Sequence, residues 1–281
     1  MKTYSYKAIG SRQEVLKNGY SRYLTEPNGW KTQHRAYRFV ILDHVSPKII
    51  ITLEHYSDII GHRKSVASLT GELLEKLANK TLSKEVLLAK VEQDSDLLPE
   101  ILQGTSSSRA SIRYGCGKVL MDLSEKRPEK LYPYMDHFVK LLDSKYRILT
   151  WNALITIANL ATVDEDKKFD AIFGKYYGLL NDGYMVTAAN LVGNSGKIAL
   201  AKPYLIQEVT NQLLKVEGLS LTPHLTEECK RVIIEHAIKS FDVFFDKVEA
   251  KAEVFSFVKR QLGSSRESLS KRAREFLEKW E

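Results

Sequence analysis

Apolar residues recur every three to four positions along most of this chain, and short polar turns interrupt them at regular intervals. Val66, Leu69, Leu73, Leu74 and Leu77 fall on one stripe, so Lys64 to Asn79 reads as an amphipathic helix. The same period predicts helices over Ser108 to Ser124, Glu129 to Leu142, Lys145 to Ala161, Lys167 to Leu180, Tyr184 to Leu200 and Pro203 to Val216. Ser83 is a cap for a helix carrying Glu85 to Val91, and Thr226 opens a long helix through Asp246. Lys251 to Leu262 and Ser268 to Trp280 follow, with Ser265 and Ser268 as candidate caps. Upstream, residues 11 to 24 and Gln33 to His44 read as helices. The run from Lys48 is two-sided. Its Ile50-Ile51-Thr52 core suits a strand, whereas Ser46-Pro47 is a good helix start and favours a helix.

The helical segments echo one another. DSKYRILTWNALITIANLATVDED, DGYMVTAANLVGNSGKIALAKP and, more faintly, SSSRASIRYGCGKVLMDLSEKRP each follow an apolar segment that ends in a turn. Leu141-Leu142 recurs as Leu179-Leu180 and Leu213-Leu214, at spacings of 38 and 34 residues. That period belongs to stacked helix pairs, each too small to bury its own apolar face. The stretch LLDSKYRILTWNALITIANLA resembles the HEAT/armadillo-like repeat family through Leu141, Leu142, Asp143, Arg147, Ala153, Ala158 and Ala161. The next copy keeps Asp182, Ala188 and Ala189 but has Val186 in place of the basic residue. The resemblance implies an all-α fold: a right-handed superhelical solenoid of antiparallel helix pairs, with second helices lining a concave face. Family members are mostly binding scaffolds; a minority bind nucleic acid, and one branch repairs alkylated DNA. Residues 96 to 216 carry the repeats, 1 to 95 form a helical segment continuous with them, and 217 to 281 cap the stack.

Composition agrees with helices. Among 281 residues there are only 15 Gly and 7 Pro, too few for many short strands and tight turns. No stretch reaches 18 uncharged apolar residues, and the amino terminus lacks a signal-peptide pattern, so a cytoplasmic setting without membrane contact is expected. Cys116 and Cys229 lie too far apart in sequence to suggest a ligand set, and no cofactor or metal is expected. The net charge of +7 is uneven: residues 1 to 63 carry +5, 64 to 110 carry −1, 111 to 229 carry 0, and 230 to 281 carry +3. Basic ends permit contact with an anionic polymer without requiring it.

Little in the chain points to catalysis. Gly115-Cys116-Gly117-Lys118 and Gly193-Asn194-Ser195-Gly196-Lys197 mimic a phosphate loop, but Ile112 and Leu191 replace its first Gly, and both segments lie inside helices. Small residues at close helix crossings account for them better. Base repair would need an aromatic box with an Asp in one groove, and no carboxylate lies within a helical turn of Trp151. A polar ladder is the stronger signal. Asn152, Thr156 and Asn159 share one helix face, and Asn190, Asn194 and Lys197 repeat it. These side chains either bridge neighbouring repeats or line a groove with Trp151 as an apolar anchor. Arg12, Arg22, Arg35, Arg38, Lys259, Arg260 and Arg272 are candidate contacts for an anionic partner. The expected function is a non-catalytic scaffold for a protein or peptide; nucleic-acid binding, with or without base repair, is the alternative.

Overall fold

The computed structural model of the chain describes residues 71–281 and the backbone of two strands, Arg38–Asp43 and Ser46–Thr52. The chain divides into two units, Met1–Gly71 and Glu72–Glu281.

In the first unit the strands β1 (Arg38–Asp43) and β2 (Ser46–Thr52) pair antiparallel, from Arg38 opposite Thr52 to Asp43 opposite Ser46. This corrects the helix expected over Gln33 to His44 and the helix favoured after Ser46. Phe39-Val40-Ile41 and Ile49-Ile50-Ile51-Thr52 are β-branched and aromatic runs that suit a pleated surface. Pro47 does not open a helix; it occupies the second position of β2, opposite Leu42, where a hairpin tolerates a missing N–H. The register slips between Phe39 and Ile41. The helix expected at 11 to 24 lies outside the described residues.

The second unit is the expected stack of helix pairs. Helix α1 is described over 71–78, and α2 (Lys84–Gln93) follows it. Then come α3 (Leu98–Gly104) with α4 (Ala110–Lys126), and α5 (Pro128–Leu131) and α6 (Met135–Leu141) with α7 (Arg147–Leu160). Next are α8 (Lys168–Gly178) with α9 (Met185–Ala201), α10 (Ile206–Leu214) with α11 (Glu227–Phe244), and α12 (Lys251–Lys259) with α13 (Glu267–Trp280). The long second helices pack side by side in chain order, α4 on α7, α7 on α9, α9 on α11 and α11 on α13. Their inner stripes form the core: Val119 and Leu123, Leu154 and Ile157, Leu191 and Ile198, Ile233 and Phe241 are fully buried. Among the described residues, no helix is long and apolar enough to cross a membrane.

One expected helix is broken. Glu129 to Leu142 splits around a 3-10 turn at Tyr132–Tyr134, because Pro133 can neither donate to the helix ladder nor clear the preceding carbonyl. The caps Ser83 and Thr226 are as expected, accepting from Val86 N at 3.3 Å and Cys229 N at 3.3 Å. The second helices α4, α7, α9 and α13 start by a different device, in which a side-chain oxygen accepts from the backbone N–H two residues on. Ser107 serves Arg109 N at 3.2 Å, Ser144 serves Tyr146 N at 3.1 Å, Asp182 serves Tyr184 N at 2.8 Å and Ser264 serves Arg266 N at 3.2 Å. Ser264 thus does the work expected of Ser265 or Ser268, and Ser144 rather than Asp143 closes the turn before α7.

Candidate functional site

Small residues bring the second helices close together, as the phosphate-loop mimics suggested. A Cβ at Gly117 would stand 2.7 Å from Leu149 of α7, and one at Gly196 would stand 3.2 Å from the Ser240 carbonyl of α11. Side chains from one repeat therefore reach the next. Arg147 donates to Asp182 at 2.6 Å and lies 3.9 Å from the centroid of the Tyr184 ring, which stacks on His224 at 4.6 Å. Arg113 lies likewise 3.7 Å from the Tyr146 ring centroid. These Arg-on-Tyr steps recur at the entry to successive second helices. The sequence showed Arg147 but not its partner, because the ring lies in the following repeat.

The ladder residues divide by burial. Thr156 and Asn159 are 1% and 2% exposed, out of reach of any partner. Asn159 Nδ2 donates to Ser124 Oγ of α4 at 2.8 Å, Ser124 donates to the Met121 carbonyl at 2.6 Å, and Lys197 of α9 donates to Asn159 Oδ1. Asn159 thus takes the bridging role between repeats. Thr156 Oγ1 is buried with no hydrogen-bond partner among the described residues.

Trp151, Asn152, Asn190, Asn194 and Lys197 are half-exposed. Trp151 donates Nε1 to Thr187 Oγ1 at 3.0 Å, which pins the indole across the seam between α7 and α9. Asn194 Nδ2 donates to the Asn190 carbonyl at 2.7 Å, and its amide oxygen accepts from no group among the described residues. The side-chain amides of Asn152 and Asn190 have no hydrogen-bond partner among the described residues. Around them Ile148, Val186 and Leu200 are about two-fifths exposed, at 41%, 40% and 45%. Sequence reasoning missed these three. Each lies one position from a residue of the apolar stripe, and only the placement of the neighbouring helix decides that it faces solvent.

The carboxyl-terminal basic residues are already engaged. Lys259 pairs with Glu281, Arg260 with Glu217 at 2.6 Å, and Arg272 with Glu275 at 3.1 Å. Arg38 begins β1, and Arg12, Arg22 and Arg35 lie outside the described residues. On α11, burial works to raise the Glu235 carboxyl, but bonds from Lys239, Ser268 and Arg266 outweigh it and hold the group at about 2. His236, against Gly193 of α9, is held below its ordinary value by burial and by Lys239. The Cys116 thiol is pushed up to about 12 by burial, which leaves it inert.

No protein-family model matches the sequence. No curated protein matches it. Solved structures do. A designed armadillo repeat protein in complex with the peptide (KR)4 is 16% identical, with a TM-score of 0.51 over 75% of this chain and 92% of that one. Computationally designed armadillo repeat proteins for modular peptide recognition are 19% identical, with a TM-score of 0.50 over 73% of this chain and 89% of that one. At such identity the likeness establishes the fold: this is an armadillo/HEAT-like stack of helical repeats.

Proposed function

We propose that this helical-repeat chain is a non-catalytic scaffold that binds a peptide or an extended protein segment across its second helices. The observation that carries the reading is the pair of uncommitted amides. Asn152 and Asn190 stand half-exposed on adjacent helices, with no partner among the described residues, between the Trp151 ring and exposed Ile148 and Val186. An extended backbone offers N–H and C=O groups in alternation, and a carboxamide can meet both at once. Apolar side chains beside the amides supply contact area, and the pinned indole supplies a rigid anchor that loses little entropy on binding. One structural neighbour holds a peptide. This face forms the concave side of a right-handed superhelix in the reading proposed here.

The rival reading, an anionic polymer held by clustered cations, draws its remaining support from the amino-terminal arginines, since Lys259, Arg260 and Arg272 are matched by carboxylates. The test is selection of a random displayed-peptide library on the whole protein. Peptides enriched on the wild type should lose at least about tenfold in affinity for N152A/N190A/N194A, the size of one or two lost hydrogen bonds. Circular dichroism should show unchanged helicity. Equal affinity for both proteins would count decisively against this face.

A further inference from the structure

The centre of the proposed binding face has an unusual charge. Helices α7 and α9, RILTWNALITIANL and MVTAANLVGNSGKIALA, contain no Asp or Glu and one cation each, Arg147 and Lys197. The Arg147 charge is met by Asp182 at 2.6 Å, and Asp182 is itself only 10% exposed. The Lys197 charge is not met: it has no carboxylate within salt-bridge distance among the described residues. Several other cations on the second helices have acidic partners, Lys118 with Asp122, Lys126 with Glu92, Lys239 with Glu235 and Lys279 with Asp242. Arg113 is instead spent on the Ser107 and Ser108 carbonyls and the Tyr146 ring, and Arg274 on Ser270 Oγ.

Lys197 is also held in place. Its ammonium donates to Asn159 Oδ1 across the α7–α9 seam. That amide is oriented by its own bond to Ser124, and Ser124 by its bond to the Met121 carbonyl. Every link in this chain donates in the same direction, from Lys197 towards α4, so each bond polarises the next. An ammonium has three donor hydrogens. One is used by Asn159, and two remain on a half-exposed group, within two helical turns of Asn190 and one of Asn194.

We propose that Lys197 selects the partner: the segment this face takes carries an acidic side chain, Asp or Glu, set among uncharged apolar residues. The inference rests on the peptide-binding reading above. A carboxylate seated at Lys197 meets a charge the protein leaves uncompensated and donors it leaves unused. A basic side chain at the same place meets an ammonium and no acid on either central helix. Exposed Ile148, Val186 and Leu200 favour apolar residues on either side of the acid. An internal side chain rather than a terminal carboxylate is favoured because the second helices continue beyond α9 to α11, where Val243 is 49% exposed.

The library described above tests this directly when each peptide is fused at its carboxyl end, so that no free terminus is displayed. Selection on the wild type should enrich one Asp or Glu among apolar residues and deplete Lys and Arg. A synthetic copy of an enriched peptide should lose about tenfold in affinity when its acid is changed to Gln, the size of a charge-assisted hydrogen bond. Lys197→Gln keeps an N–H for Asn159 and should bind the acidic and the Gln peptides equally; Lys197→Arg should retain the preference. Enriched peptides without acids, or (KR)4 binding as well as they do, would overturn the proposal while leaving peptide binding intact. No enrichment at all would remove both readings. An oligonucleotide duplex that binds the wild type and is lost in Lys197→Gln would assign the lysine to phosphate instead.

Discussion

Lys202 is the clearest single-residue test of how this stack is held together. Its side chain is 3% exposed and lies 2.8 Å from Asp164, whose side chain is fully buried, and 3.5 Å from Asp170. Asp164 also accepts from Tyr132 at 2.6 Å and from the backbone N–H groups of Lys168 and Phe169 at 2.8 and 2.9 Å. Burial favours the neutral acid, but these donors outweigh it and hold Asp164 below the usual carboxylate range. Lys202→Met would strand that charge, and urea unfolding should show a loss of roughly 3–5 kcal/mol. The double variant that also carries Asp164→Asn should recover much of the loss, since it removes both charges. Acid titration gives a second test at this scale. His137 and His236 have folded values held below 6.5 by burial, so the stability they confer is complete above 6.5 and lost as pH falls below it. Glu235 and Asp164 have depressed values too; their contribution is complete above about 4.5 and lost on further acidification, for Glu235 towards about 2. Stability against pH should therefore fall in two stages. Glu235→Gln should lower it at pH 7, by on the order of 2 kcal/mol, and flatten the second stage.

At the scale of elements, glycines separate packing from propensity. Gly117 has the buried Leu149 Cδ2 at 2.7 Å and Asn152 Nδ2 at 3.0 Å from where a Cβ would stand, so Gly117→Val must displace packed side chains of α7. Thermal melts should show a loss of roughly 1–3 kcal/mol. Gly174 lies inside α8 with nothing within 4 Å of a Cβ, so Gly174→Ala should raise stability by about 1 kcal/mol. Helix positions were legible in the sequence because period 3.6 survives in every repeat. What failed were the places where another constraint outranks it. Pro133 breaks a helix whose apolar spacing is intact. Ser46-Pro47 looks like a helix start in isolation, yet the β-branched run after it pairs with Arg38–Asp43, and the two residues between the strands include none of the Gly or Asn that marks a tight hairpin in sequence. The ladder shows the same limit. Asn152 and Asn159 share a helix face, but neighbours on both sides cover the second and not the first. Which end of a helix face is covered depends on how far each neighbour extends, and that is a property of the stack.

At the scale of the whole molecule, charge and surface tell different stories. A net charge of +7 with basic ends invites a polyanion. In the helical unit the candidate cations near the carboxyl end are consumed by internal pairs, and the central second helices are almost uncharged. A surface of indole, carboxamides and aliphatic groups suits a partner recognised by backbone and shape, with one charge for selection. Salt should therefore weaken binding of a selected peptide only modestly, with a far shallower slope than displacement of many counterions gives. The most direct measurement is methyl NMR of the protein with a selected peptide carrying a spin label at one end. The account predicts broadening of Ile148 and half-buried Ile155 of α7 and of Val186 and Leu200 of α9, while Val86 of α2, Leu219 in the connection after α10 and Leu262 just after α12 stay sharp. Broadening centred on Leu219 and Leu262, with Ile148 and Val186 unaffected, would contradict it.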